Sequence, residues 1–240
     1  MIAYHVLASG SNGNCVLVQT KETNVLIDLG ITLKSLKEKL GVFHLTLEDI
    51  DVVLITHEHI DHTRSLRAIP LHKVYSGAGT CPLLDENQLK AYVTFDFQDI
   101  HIMPIPLSHD CANGFGYIIT NEVERLVYLT DTGYVAFKNQ TLMKDATHYI
   151  IECNHDVKML MQSQRPAYLV RRILSDYGHL NNEQCGELLA NVISPNTKSV
   201  MLAHISEEAN DPRLALETVT SILQDYQIDV SHIQITSASR

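Results

Sequence analysis

A dense cluster of histidines and carboxylates follows a short apolar run, and it constrains the fold more than any other feature of the chain. Residues 56–62 read Thr-His-Glu-His-Ile-Asp-His. Because side chains alternate along an extended chain, His57 and His59 are predicted to point the same way and to share one cation. A turn after them would bring Asp61 and His62 beside a second cation. The spacing therefore predicts two adjacent metals, whereas a loop rich in histidine by chance is the alternative, and ordinary loops favour Gly, Asn, Ser and Pro.

This cluster resembles the HxHxDH signature of the metallo-β-lactamase superfamily, and later segments supply further ligands in that family's order. His109, Asp131 and His204 each follow an apolar or extended segment. The resemblance implies seven metal ligands, all nitrogen or oxygen donors: His57, His59, Asp61, His62, His109, Asp131 and His204. It implies a first metal bound by three histidines, His57, His59 and His109. It implies a second metal bound by Asp61, His62 and His204. Asp131 would bridge the two.

A finer resemblance, to the YycJ/WalJ branch, rests on four segments. They are residues 9–14, 152–156, 178–182 and 203–206. This branch is similar to tRNase Z, RNase J and the phosphodiesterase PhnP, and the resemblance spans essentially the whole chain. It implies a single domain over residues 1–240 with an α/β (α+β) fold, the four-layer αββα sandwich. Asn181 departs from the branch, where Ser is expected, and this puts any hydroxyl-dependent phosphate contact in doubt.

Periodicity predicts a mixed α and β chain that begins with an antiparallel sheet. Leu66 and Ile69 indicate a helix after residue 60. The other predicted helices cover residues 32–40, 167–177, 182–192 and 212–227. The predicted strands include residues 2–8, 15–19, 24–28, 117–120, 126–130, 149–153 and 233–236.

Composition agrees with an enzyme of the reducing cytosol. The chain has 240 residues, of which 45% are hydrophobic, enough for a substantial core. Its five cysteines are scattered and odd in number, unlike a disulfide framework. No secretory signal or membrane-spanning run is recognised, so a cytoplasmic protein without a membrane partner is expected. The oligomeric state is left open.

The ligand set predicts hydrolytic chemistry. Two divalent metals, Zn, Mn or Fe, suit nitrogen and oxygen donors. They would activate a bridging hydroxide near neutral pH, which Asp61 would help to orient. Oxygen-reducing di-iron relatives usually carry a carboxylate at the position of His59, so a hydrolase is favoured.

Further residues are candidates for catalysis or for supporting contacts. His179 could deliver a proton to the leaving group or contact phosphate, or it could cap the helix predicted from Asn182. The other candidates for substrate contacts or for positioning the ligands are Ser11, Asn12, Asn14, Asp28, His155 and Asn182. The glycines near Ser11 could equally make only a tight turn, Asp28 could cap a turn, and His155 could be structural. Carboxylates expected to accept from metal-bound imidazoles are Asp28, Asp110 and Asp156.

Charge is the main argument against a nucleic-acid substrate. The formal net charge is −10, whereas nucleic-acid-binding proteins commonly have a basic surface. The field at the cleft decides attraction, however, and two divalent metals would sit there. The arginine-rich segment 165–172 could contact a strand or could be a solvated helix face.

Three functions remain possible. The first is a metal-dependent phosphodiesterase, with a DNA exonuclease of 5′ to 3′ polarity implied by the resemblance alone. The second is a small-molecule metallohydrolase acting on a cyclic nucleotide, another phosphodiester, a thioester or a lactone. The third is an accessory protein of a two-component signalling pathway.

Overall fold

The computed structural model describes residues 1–238, which divide into two compact units. Unit 1 comprises Met1–Pro106 and Cys111–Val123, and unit 2 comprises Leu107–Asp110 and Glu124–Ala238. A single domain over residues 1–240 stays a prediction. Within residues 1–238, every helix is too short or too polar to cross a bilayer.

Unit 1 contains most of the strands. Its elements are β1 (Ala3–Ala8), β2 (Cys15–Gln19), β3 (Asn24–Ile27), α1 (Leu33–Val42), β4 (Val52–Leu54), α2 (Ile60–Thr63), β5 (Val74–Gly77), β6 (Gln88–Leu89), β7 (Phe95–Phe97), β8 (Ile100–Pro106) and β9 (Phe115–Thr120). Strands β1 to β6 form a sheet in chain order, antiparallel from β1 to β3 and parallel from β3 to β6. Strands β7, β8 and β9 form an antiparallel ladder. The predicted antiparallel start is confirmed.

The core of unit 1 follows from its apolar runs. All three residues of β4 are buried, as expected for a parallel strand covered on both faces. Helix α1 begins after Thr32, whose hydroxyl accepts a hydrogen bond from the Ser35 amide at 3.3 Å, and it buries Leu36 and Leu40. These elements fix the strand end from which the histidine-rich segment of residues 56–62 emerges.

The helix predicted after residue 60 is shorter than expected. Helix α2 ends at Thr63, and two separate 3₁₀ turns follow, over Leu66–Ala68 and Leu71–Lys73. The amide of Ser65, which a continuing helix would bond to the Asp61 carbonyl, donates instead to Leu29 at 2.9 Å. The Asp61 carbonyl accepts from the Asn14 amide at 2.8 Å. Tertiary contacts with the early loops therefore replace helical ones.

Unit 2 alternates strands and helices. Its elements are β10 (Arg125–Leu129), α3 (Phe137–Met143), β11 (His148–Glu152), α4 (Val157–Gln162), α5 (Ala167–Ile173), α6 (Asn182–Val192), β12 (Ser199–Ala203), α7 (Pro212–Asp225) and β13 (Gln234–Ser237). Strands β10 to β13 pair in order and all in parallel. Their carboxyl ends therefore lie at one edge, where parallel sheets usually carry their sites.

Helix boundaries in unit 2 follow capping chemistry. Helix α6 covers the predicted residues, and Asn181 caps it in a capping box with Gln184. The structure therefore gives Asn181, not His179, the capping role. Helix α5 ends at Ile173, earlier than predicted, where the Ile173 carbonyl accepts from the His179 amide at 3.1 Å.

Candidate metal centre

In unit 1, Asp28 orients one predicted ligand. Asp28 is fully buried, and its carboxylate accepts from the Thr56 amide at 2.8 Å and from His62 Nδ1 at 2.7 Å. Burial raises the pKa of Asp28, against the opposing effects of His62 and Thr56. Because Nδ1 of His62 faces Asp28, Nε2 is the ring nitrogen that could bind a metal.

The glycine-containing loop of residues 9–14 packs against the same motif. Asn14 Nδ2 lies 3.1 Å from His62 Nε2, and Asn14 Oδ1 accepts from the Gly10 amide at 3.0 Å. Gly30 allows this close packing, since a Cβ there would lie 1.6 Å from the Asp61 carbonyl oxygen. The glycines of this region thus serve tight packing, while Ser11 and Asn12 at the loop tip are exposed.

The remaining predicted ligands of unit 1 lie beside His62. His57 Nε2 is 3.0 Å from His59 Nδ1, and the rings of His57 and His62 have centroids 4.1 Å apart. Asp61 Oδ2 lies 3.6 Å from His62 Nε2. Unit 1 therefore brings three imidazoles and one carboxylate together, with His57 and His62 fully buried.

In unit 2, four donors gather where the parallel strands end. Asp131, Glu152, His179 and His204 each offer a ligand atom, and these atoms lie within 4.8 Å of one another. Asp131 follows β10, Glu152 ends β11 and His204 follows β12. The shared strand edge brings these distant parts of the sequence together.

Glu152 organises this cluster, and the sequence interpretation missed it. Its Oε1 accepts from His179 Nδ1 at 2.8 Å and from His204 Nδ1 at 2.7 Å. Its Oε2 accepts from the amides of Thr132 and Leu180, both at 3.1 Å. Burial would raise the pKa of Glu152, but His179 and His204 outweigh it and lower that pKa well below its usual range. Since both oxygens are already engaged, Glu152 positions the histidines and leaves their Nε2 atoms available.

Two predicted ligands of unit 2 sit in strained backbone. Asp131 has a φ of 56° and His204 a φ of 53°. A left-handed conformation costs a residue other than glycine about 1–3 kcal/mol and is typically retained at functional sites. Asn154 supports His204, because Asn154 Nδ2 donates to the His204 carbonyl at 2.9 Å.

His109 is held near His179. His109 Nδ1 lies 3.2 Å from the Gly178 carbonyl oxygen, and the His109 and His179 rings have centroids 5.2 Å apart. Burial lowers the pKa of His109, which favours the neutral imidazole that binds metals. Asp110 Oδ1 lies 3.3 Å from His109 Nε2, and Asp110 Oδ2 forms an ion pair of 2.6 Å with Arg172.

Of the three other predicted residues, Asn182 and Asp156 have structural contacts. Asn182 is fully buried and exchanges hydrogen bonds with Asn210. Asp156 caps α4 by accepting from the Met159 amide. His155 is 1% exposed, and neither of its ring nitrogens has a hydrogen-bond partner within residues 1–238. Burial lowers the pKa of His155 to about 4, so the ring is neutral at pH 7.

The donors in each unit fit a divalent metal. All are imidazole nitrogens or carboxylate oxygens, which suit Zn, Mn or Fe(II). His62 and His204 each direct Nδ1 to a buried carboxylate, the usual support of a metal-bound histidine. In both units the donor atoms and the hydrogen bonds that orient the histidines are therefore those expected of a metal site.

Comparison with known proteins agrees with these features. A family model described as "Beta-lactamase superfamily domain" matches residues 23–205. The chain is 34% identical over 235 residues to Exodeoxyribonuclease YycJ of Bacillus anthracis, covering 92% of this chain and 89% of that protein. The chain belongs to the metallo-β-lactamase superfamily, in its YycJ/WalJ branch. Exodeoxyribonuclease WalJ of Streptococcus pneumoniae serotype 2, strain D39, is 32% identical to this superfamily member over 242 residues, covering 95% and 90% of the two chains.

A solved structure of a superfamily protein agrees at the level of the fold. The metallo-β-lactamase fold protein YhfI from Bacillus subtilis superposes with a TM-score of 0.75 at 15% identity. The match covers 99% of this chain and 96% of YhfI. This match confirms the fold class predicted from the sequence, and the family model with the YycJ relative confirms the predicted superfamily.

Glu152→Gln is expected to weaken metal binding. The amide keeps the shape of the side chain but loses the charge that His179 and His204 face. Loss of such a supporting carboxylate typically costs about 10–100-fold in metal affinity or activity. Competition with a chelator of known affinity measures the change.

Glu124→Gln is a matched control, since Glu124 is a buried carboxylate of the same unit that bonds Lys198 at 2.8 Å. Equal metal affinities for the two variants would contradict the assigned role of Glu152.

Proposed function

We propose that this protein is a dinuclear-metal-dependent phosphodiesterase, a DNA exonuclease of 5′ to 3′ polarity that uses seven metal ligands. We propose His57, His59 and His109 for one metal, Asp61, His62 and His204 for the other, and Asp131 as the bridge. When bound, two such cations lower the pKa of water to about 7 and so supply hydroxide near neutral pH. The membership of the YycJ/WalJ branch and the donor geometry within each unit support this assignment.

The residues of unit 2 suggest how the leaving group is protonated. A departing alkoxide is a strong base, so strand cleavage benefits from a proton donor. We assign this role to His179. Its Nδ1 donates to Glu152 at 2.8 Å, so in the protonated ring the transferable proton resides on Nε2. Glu152 is fully buried and, through this hydrogen bond, fixes the orientation of the His179 ring.

The Glu152–His179 pair beside Asp131 and His204 is the observation that carries the proposal. His179 Nδ1 lies 3.8 Å from Asp131 Oδ1, and the rings of His179 and His204 have centroids 5.2 Å apart. A proton donor therefore lies directly beside two proposed metal ligands. Phosphodiester cleavage needs both a hydroxide and a proton donor, since the hydroxide attacks phosphorus while the leaving-group oxygen accepts a proton.

We also propose a reducing, cytoplasmic setting and DNA as the partner. None of the five cysteines in the described chain forms a disulfide, although Cys15, Cys153 and Cys185 are buried in the core. Proteins of oxidising compartments more commonly pair their cysteines. The names of the YycJ and WalJ relatives support DNA as the substrate.

End-labelled DNA tests the proposed activity and its polarity. With Mn²⁺ or Zn²⁺ present, 5′-labelled single strands should release labelled mononucleotide at once. The same strands labelled at the 3′ end should give a descending ladder. RNA of the same sequence, bis-p-nitrophenyl phosphate and a thioester serve as comparison substrates. Hydrolysis of the thioester alone, or of none of the substrates, would overturn the proposal. A ladder from the 5′ label would reverse the polarity.

A further inference from the structure

Unit 1 contains a cavity of about 590 Å³ beside the metal-binding motif. Residues of that motif contribute to its wall, because Ile60 stands between two proposed ligands and Arg64 follows His62 by two residues. The volume falls within the range of pockets that hold small organic ligands. An occupant would lie within a few residues of the motif that binds metal.

The cavity is locally cationic in an acidic chain. Arg64 and Arg67 both line it and are exposed. Within residues 1–238 neither guanidinium has an ion pair or a side-chain hydrogen bond. The lining also includes one carboxylate, that of Glu58, whose Oε1 accepts from the Ala112 amide at 2.7 Å, so two cationic groups face one anionic group. Two unneutralised arginines here contrast with the formal net charge of −10.

The arginine segment of unit 2 differs in this respect. Arg165 pairs with Glu208 at 2.9 Å, and Arg172 pairs with Asp110 at 2.6 Å. Two of the three guanidiniums of residues 165–172 are therefore already neutralised. The segment offers less attraction to a polyanion than its sequence suggests.

The rest of the cavity wall is apolar. Leu66, Ile69 and Leu71 line it together with Ile60, whose relative exposure is 65%. Ile60 lies between His59 and Asp61 in the sequence, and its exposed side chain offers contact area to a flat, partly apolar group. Guanidinium groups beside such a surface suit phosphate and can also stack on a base.

We propose that this cavity binds one nucleotide of the DNA strand next to the scissile phosphate. Arg64 and Arg67 contact its phosphates, and Ile60 with Leu66 covers its base. This inference rests on the proposed nuclease function. It explains how a protein with a formal net charge of −10 could attract a DNA strand, because the two arginines form a local cationic surface.

The variant Arg64→Gln/Arg67→Gln tests the cavity. The control is Arg171→Gln/Arg213→Gln, which removes the same charge from exposed arginines that do not line the cavity. The assays are fluorescence anisotropy with 5′-phosphorylated single-stranded DNA over a KCl series, the KM for that DNA, and metal content. Each phosphate contact contributes about 0.7 to the salt slope for single strands, so losing two should lower the slope by about 1.4. We expect the Kd and KM to rise about tenfold or more at 0.1 M salt, with metal content unchanged. Arg64→Lys/Arg67→Lys should retain the salt slope.

Each remaining outcome decides one claim. If the wild type neither binds nor degrades DNA, the proposed function fails. If the wild type degrades DNA and the cavity variant has wild-type KM and slope, the cavity assignment alone is overturned. If the control pair weakens binding as much as the cavity pair does, the cavity is not a specific site and the inference is likewise overturned.

Discussion

Asp131→Ala is expected to lose metal and to hydrolyse DNA at least about a thousandfold more slowly than the wild type. Asp131 is the proposed bridge, so its removal weakens both metal sites at once. Metal ions contribute several kcal/mol to such reactions, and about 4 kcal/mol corresponds to about a thousandfold in rate. Metal content by mass spectrometry and the initial rate on end-labelled DNA measure the two effects.

A matched control separates ligand loss from backbone effects. Asp145 in the same unit also has a left-handed backbone, with φ of 61°, but its carboxylate bonds Ser194 and Asn196. Asp145→Ala therefore removes a carboxylate from a similar conformation without touching a proposed ligand. It should keep both metals and its activity. If Asp131→Ala retained two metals per chain, the bridging assignment would be wrong.

His179→Ala is expected to slow DNA cleavage by about 10²–10⁴-fold, the usual contribution of a general acid. Metal content should stay at the wild-type level, because His179 is not among the proposed ligands. The loss should depend on the leaving group. A p-nitrophenolate needs no proton to depart, so bis-p-nitrophenyl phosphate should be hydrolysed with a much smaller loss than DNA. Added imidazole should restore part of the DNA activity.

The comparison of DNA with bis-p-nitrophenyl phosphate shows whether His179 donates a proton or only maintains the structure of the site. His232→Ala is the control, since His232 is an exposed histidine of the same unit outside the cluster. It should resemble the wild type on both substrates. An equal loss on both substrates in His179→Ala, without rescue by imidazole, would show that His179 acts only by holding the structure.

The sequence predicted the strand ends that carry the proposed ligands Asp131 and His204. Asp131 and His204 follow apolar runs, and the structure shows that these runs are parallel neighbours of β11. Local pattern sufficed there because a buried strand has a clear apolar signature. The same holds for Asp28, which directly follows β3.

What the sequence could not predict depends on tertiary partners. Glu152 ends β11, in the segment where the sequence pattern indicated His155 as the candidate. Only the folded chain shows that Glu152 accepts hydrogen bonds from His179 and His204. The overestimated helix after residue 60 has the same origin. The Asp61 carbonyl and the Ser65 amide bond to distant loops, and no local pattern specifies those contacts.

Anomalous diffraction from crystals of the metal-loaded protein tests the paired metal centre most directly. Data collected on both sides of the metal absorption edge should show two peaks about 3.5–4 Å apart. Asp131 should contact both, His57, His59 and His109 one, and Asp61, His62 and His204 the other. A single peak, no peak, or peaks bound by other residues would contradict the account.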